Sequence, residues 1–380
     1  MASRPHGKHP HGPRTNDGAA HPEAGQGAPR REAGQGAPHL EAGQGAPHLE
    51  AGRAGHGGDR VSRRGWVRVG RVRRTLIAAF VAASVAVPLS GAARPAAVAA
   101  PAPAVLAPLS VGTLGARYET NRASVLAAEK MAEVHQDRRR ARALSAMADP
   151  GRHFLSFDGR AGGRTAEVFG DLARAETIAV LVPGSDTSLD QYGRLLDGAR
   201  ALAGQLGPQA AVIAWMGYET PGTVSPEILT PGRADDAAPQ LTAFMRELAA
   251  AKPSARTSLV CHSYGSVVCA KAASGVEAAD IVLYGSPGTG FDTASALHTS
   301  ATVWAGRAGG DWIADVPHTS LHLPFVTVGF GSDPVSRHFG ARHFDAGSGG
   351  HSDYLRPGSV PLKNIARIVN GQRPQEDRHA

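Results

Sequence analysis

The chain has 380 residues, with 40 Lys and Arg against 33 Asp and Glu and a formal net charge of +7. The excess is local: residues 1–100 carry 14 basic against 6 acidic side chains, and residues 101–380 carry 26 against 27. The near-neutral remainder excludes an extended basic face for nucleic acid and is long enough to bury one sizeable core.

In residues 1–59, Glu-Ala-Gly-Gln-Gly-Ala-Pro recurs from Glu23, Glu32 and Glu41, with a degenerate copy from Glu50. These units hold almost no large apolar side chains and cannot offset chain entropy by burial, so they are expected to be disordered. A start of translation further along, at Val61 or Val67, is the other reading. Residues 60–100 have the layout of a signal peptide. Arg60, Arg63, Arg64, Arg68, Arg71, Arg73 and Arg74 precede an apolar run from Leu76 to Val87, followed by small-residue stretches suited to cleavage. The run is short for a bilayer span. Export by a twin-arginine or a Sec signal is expected, with a retained membrane anchor as the alternative. Residues 101–115 read as a Pro/Ala tether.

A domain follows over 116–380, opening with a helical segment, 116–149. Its apolar stripe is read as Leu126, Met131 and Val134, and the run Arg138-Arg139-Arg140 as a solvated face. From His153 onward, short apolar strands alternate with helices. Strands are expected at 153–157, 165–169, 177–182, 210–215, 257–261, 280–284 and 301–305, with another near 325–328. Helices are expected at 189–206, 234–251, 265–273 and 361–369. Apolar strands alternating with helices imply a mostly parallel sheet with helices on both faces, and functional residues then gather at the carboxyl ends of the strands.

The stretch Cys261-His262-Ser263-Tyr264-Gly265 lies between the strand at 257–261 and the helix from Gly265. It carries the Ser-x-Gly half of a nucleophile elbow, a sharp strand-to-helix turn that lifts a serine hydroxyl above the sheet edge. Cys261 stands where Gly is usual. Cys261 and Cys269 show neither zinc spacing nor the number of a disulfide framework, so both are read as buried small apolar residues without a disulfide. The partners of such a serine follow in the order acid, then histidine. Asp311, after Gly309-Gly310, is the candidate acid. Asp315 and Asp333 are rivals, and a plain helix-capping role for Asp311 is the alternative. His351, in Ser348-Gly349-Gly350-His351-Ser352-Asp353-Tyr354, is the candidate base ahead of His318, His322, His338 and His343. His262 is expected to point away from the serine hydroxyl.

An oxyanion site needs two N–H donors. Tyr264 supplies one, and Ser185 or Asp186, after Pro183-Gly184, the other. Asp186 is equally suited to capping the next helix. Trp215 and Tyr218 are candidates for a substrate pocket. No metal spacing is present and no cofactor is expected; the partner is a small acyl substrate, with the membrane involved only through the N-terminal segment.

These pieces, with Val182-Pro183-Gly184, Ala214-Trp215-Met216-Gly217-Tyr218-Glu219, Tyr284-Gly285-Ser286-Pro287-Gly288, Gly310-Asp311-Trp312-Ile313 and Asn364-Ile365-Ala366-Arg367-Ile368-Val369, resemble the α/β-hydrolase superfamily. Within it they resemble an actinobacterial family of unknown function. The resemblance covers about 150 to 370. It implies a sheet of about eight strands and a Ser263–Asp311–His351 triad; the family supplies no substrate, and an acyl ester or thioester is expected over an amide because nothing in the sequence resembles a peptide-binding cleft. Trp312 stands where Pro would be expected. A non-catalytic binding or cell-envelope module on the same fold is the rival class.

Overall fold

The computed structural model describes residues 99–322 and 327–375. The repeats of 1–59, and all but the last two residues of the 60–100 signal segment, lie outside these residues. Among the described residues no helix is long and apolar enough to cross a membrane.

Helices α1 (Leu114–Val134) and α2 (Arg138–Met147) come first. The expected helical segment is thus divided in two. The break falls at Gln136, whose φ is +60°, and the Asp137 side chain caps α2 by accepting the Arg140 N–H at 3.0 Å. The buried face of α1 is Leu114, Arg117, Asn121, Val125, Ala128 and Ala132. The expected stripe is therefore wrong: Leu126 and Val134 are exposed. Arg140 is also corrected, since only its neighbours Arg138 and Arg139 are solvated. Arg140 is buried, grips both Asp190 carboxylate oxygens at 2.8 Å, and donates to the carbonyls of Gly159 and Ala161. A guanidinium so fully paired can leave water.

The sheet strands are β1 (His153–Asp158), β2 (Arg164–Phe169), β3 (Thr177–Val182), β4 (Ala210–Met216), β5 (Arg256–His262), β6 (Asp280–Tyr284) and β7 (Thr302–Gly306). A short hairpin, β8 (Ser320–His322) with β9 (Thr327–Gly329), stands apart, and β10 (Arg342–His343) pairs parallel with β7. The eight-stranded order is β1-β2-β4-β3-β5-β6-β7-β10. Only β1–β2 and β2–β4 are antiparallel. Helices α3 (Gly193–Leu206), α4 (Gly232–Ala251), α5 (Gly265–Ala272) and α6 (Val360–Val369) cover it. This is the expected architecture.

Strand alternation sorts the core into two layers. Ile178, Val180, Ile213, Trp215, Leu259 and Cys261 face α4 and α5. Ala179, Leu181, Val212, Met216, Val260 and Tyr284 face α3, α6 and the far half of α1. β5 lies centrally, so its carboxyl end opens at the middle of the sheet edge.

Candidate active site

Ser263 follows β5 with φ +51°, a left-handed conformation uncommon for any residue but glycine. Its N–H donates to the Tyr284 carbonyl at 3.0 Å, and its own carbonyl accepts the Ser266 N–H at 2.9 Å, opening α5. The turn is possible because two neighbours lack side chains. A Cβ on Gly265 would lie 2.6 Å from the Val182 and Pro183 carbonyl oxygens, and one on Gly184 would lie 2.7 Å from Ser263 Cβ. The strand at β3, the elbow and α5 therefore approach backbone to backbone.

The two cysteines are not free. Cys261 and Cys269 form a disulfide, with Cα atoms 6.5 Å apart. The sequence expectation of no disulfide is overturned for a geometric reason. Strand parity turns Cys261 toward the α5 face, and α5 doubles back over that face and brings Cys269 against it. Burial of both was correctly expected.

The structure brings Ser263, His351 and Asp311 together. His351 Nε2 lies 2.9 Å from Ser263 Oγ, so the hydroxyl can donate to the ring. His351 Nδ1 lies 2.9 Å and 3.1 Å from Asp311 Oδ1 and Oδ2. Asp311 is 3% exposed and accepts two further bonds, from the Ile313 N–H at 2.9 Å and the Tyr354 hydroxyl at 2.5 Å. Burial alone would raise its carboxyl, but the bonds from His351, Tyr354 and Ile313 outweigh this and hold it below the usual carboxylate range. Asp311 also caps the single turn at Trp312–Asp315, so the capping role and the histidine contact belong to one side chain. Asp333 is engaged elsewhere, with Arg307 at 2.6 Å, and Asp315 is exposed.

The His351 loop is fixed from two sides. The Asp353 carboxylate accepts the Gly350 N–H at 2.9 Å. His262 Nε2 lies 2.9 Å from the His351 carbonyl, which assigns the proton of its ring to that nitrogen. As expected, His262 makes no bond to the serine hydroxyl. Its ring packs 4.8 Å from the His351 ring and 4.9 Å from that of Tyr284. Burial, reinforced by His351, pushes the His262 pKa down to about 3, so the ring is neutral.

Tyr264 and Ser185 present backbone N–H groups that bond to no protein acceptor among the described residues. Asp186 is excluded from this role because its N–H donates to the Pro221 carbonyl at 3.0 Å. It does not cap the next helix either. With φ +55°, it turns its carboxylate to the Thr223 N–H and hydroxyl.

A cavity of about 940 Å³ opens over Ser263. Leu181, Leu195, Ile228, Trp312 and Leu355 supply apolar walls, and Arg194 and Asp197 lie on the α3 side. Trp215 and Tyr218 are not among its walls, which corrects their assignment. Both are buried and belong to the α4–α5 layer, while the cavity opens on the α3 side. Trp215 packs on Phe244, and Tyr218 donates to the Pro183 carbonyl at 2.7 Å, bracing the turn that carries Ser185. Two contributors lacked an assigned role in the sequence, His262 and Tyr354, although both lie inside quoted motifs. Among the described residues no group of three or more His, Cys, Asp or Glu is placed to hold a metal.

Residues 158–321 match the sequence family described as alpha/beta hydrolase; the matched stretch includes Ser263 and Asp311 and ends before His351. An uncharacterized protein of Mycobacterium tuberculosis is 31% identical over 252 residues, covering 57% of this chain and 38% of that protein. An uncharacterized protein of Mycobacterium bovis is 33% identical over 168 residues, covering 40% of this chain and 63% of the relative. The chain thus spans less than two thirds of either. Among solved structures, esterase PE8 aligns with a TM-score of 0.38 at 16% identity, covering 55% of this chain and 98% of its own. Esterase LipW from Mycobacterium marinum aligns at 0.35 and 14%, covering 66% and 88%.

Proposed function

We propose that this chain, whose residues 158–321 match the alpha/beta hydrolase family and whose sheet and helices form that fold, is an exported serine hydrolase cleaving an acyl ester or thioester. One observation carries the reading: an unbroken hydrogen-bonded line from buried Asp311 through His351 to Ser263, with the serine held in a left-handed turn over a cavity. In this reading Ser263 Oγ attacks the acyl carbonyl carbon while its proton passes to His351 Nε2. Asp311 holds the ring and stabilises the imidazolium. The negative oxygen of the tetrahedral intermediate sits between the Ser185 and Tyr264 N–H groups, at the positive end of α5. Collapse breaks the bond to the leaving group, which takes the proton from His351. Water then attacks the acyl enzyme by the same steps and restores Ser263.

Export rests on two independent supports. One is the arginine-led apolar segment within 60–100. The other is the Cys261–Cys269 disulfide, which suits an oxidising compartment.

The test is covalent. The full chain is incubated with a fluorophosphonate probe beside Ser263→Ala and His351→Ala. Labelling of the parent, lost in Ser263→Ala and reduced roughly 10³-fold or more in rate in His351→Ala, is the expected result. A folded parent that takes no label removes the enzyme reading.

A further inference from the structure

Asp311 does not face His351 alone. Its Oδ2 accepts the Tyr354 hydroxyl at 2.5 Å, the same hydroxyl accepts the Ala308 N–H at 3.0 Å, and Tyr354 is almost wholly buried. That arrangement fixes the phenol's polarity, because the backbone N–H can only donate and the phenol proton must then point at the carboxylate. Tyr354 follows His351 by three residues, and its ring lines the same cavity. Three donors, from His351, Ile313 and Tyr354, thus converge on the Asp311 carboxylate.

We infer that Tyr354 is a positioning residue that sets the pH range of the site: its hydroxyl draws charge from Asp311 and so limits how strongly the carboxylate holds a proton on His351. This rests on the serine hydrolase reading above. A carboxylate that donates part of its charge into a second hydrogen bond is a weaker acceptor for the imidazolium. Removing the hydroxyl leaves Asp311 more basic, and His351 then keeps its proton to higher pH. The other groups around the pair do not offer a substitute. His262 stays neutral and donates to the His351 carbonyl. Tyr284 packs its ring against Tyr354 and makes no hydrogen bond to Asp311. Asp353 is turned to Gly350 and Arg356, Arg307 is paired with Asp333, and Arg194 stands on α3 across the cavity. Burial and Asp311 push the Tyr354 phenol well above its ordinary pKa, so it remains a donor throughout.

The experiment records the pH profile of kcat/KM on a p-nitrophenyl ester with the full chain, its Tyr354→Phe variant, its Tyr284→Phe variant, and a form carrying 3-fluorotyrosine at 354. Phe at 354 is expected to move the acidic limb upward by roughly 0.5 pH unit and to lower kcat about 10-fold with KM little changed. The more acidic fluorophenol strengthens the bond to Asp311 and moves the limb down. Tyr284→Phe leaves it in place. A limb that stays put or moves down in Tyr354→Phe overturns the inference. If that variant does not fold, an unmoved limb in the fluorotyrosine form overturns it equally. A parent with neither turnover nor fluorophosphonate labelling overturns the serine hydrolase reading itself, which keeps the two failures apart.

Discussion

The disulfide beneath the elbow gives the most direct quantitative test. Cys261 and Cys269 are eight residues apart, and the bridge ties the end of β5 to the second turn of α5. Cross-linking a loop of this size removes about 8 cal/mol/K from the unfolded chain, or about 2.5 kcal/mol at 25 °C. For the described domain of about 270 residues the entropy of unfolding is near 0.57 kcal/mol/K, so loss of the bridge lowers Tm by about 4 °C. Reduction of the parent isolates this term because both sulfur atoms stay in place. The Cys261→Ala/Cys269→Ala double variant also loses two wholly buried sulfurs, adding about 1–2 kcal/mol of lost packing and cavity cost. Calorimetric melts of the parent and the double variant, with and without reductant, separate the two. The parent should fall by about 4 °C on reduction, and the variant should lie lower still and ignore the reductant. Two free thiols in the intact mass of the air-oxidised parent would refute the reasoning. So would a parent melt unchanged by reductant once mass spectrometry shows the bridge open.

Two further outcomes follow from the same geometry. Gly184→Ala places a Cβ 2.7 Å from Ser263 Cβ and 3.1 Å from the His262 carbonyl, displacing the turn that carries the Ser185 N–H; kcat/KM should drop about 100-fold, and the clash should cost about 1–3 kcal/mol of stability in the melt. His262 is neutral in the folded protein, with a pKa near 3 against 6.5 in the unfolded chain, so below pH 6.5 the unfolded state binds the extra proton and stability falls with falling pH. Because the ring also borders the cavity, water relieves part of that cost, and the parent should lose about 1–2 kcal/mol between pH 7 and pH 5 in urea melts, a loss absent from His262→Gln.

The sheet was legible because buried parallel strands read as continuous apolar runs, as in Thr177-Ile178-Ala179-Val180-Leu181-Val182. The elbow was legible because Ser263 and Gly265 sit at a strand-to-helix junction. What escaped depends on facing rather than on composition. Helix α1 buries Arg117 and Asn121, and their partners, Glu247 and the Phe154 carbonyl, lie far along the chain. A polar residue on a buried face breaks the apolar stripe that a sequence offers, so the wrong face was chosen. Arg140 failed in the same way, since Asp190 is fifty residues distant. Trp215 was misplaced by one bit of information: odd and even positions of β4 point to opposite layers, and the cavity opens on the layer it does not face. The disulfide required knowing that α5 doubles back over Cys261. His262 and Tyr354 required the path of the 348–354 loop, which only the packed structure supplies.

One physical problem ties these missed features together. A serine with φ +51° costs about 1–3 kcal/mol and persists only where its surroundings over-determine it. Here the constraints come from different layers. Tyr284 holds the Ser263 N–H from the neighbouring strand, and the disulfide clamps β5 to α5 on one face. On the other face, His262, immediately before the strained residue, holds the His351 carbonyl, and Tyr354 holds Asp311. Tyr218 braces Pro183, so even the turn above the serine is anchored from β4. Each bond joins the elbow to a segment distant in sequence. The strain is therefore stable only when the whole sheet edge is assembled, and the three groups that would do the chemistry become aligned in the same event that makes their geometry affordable.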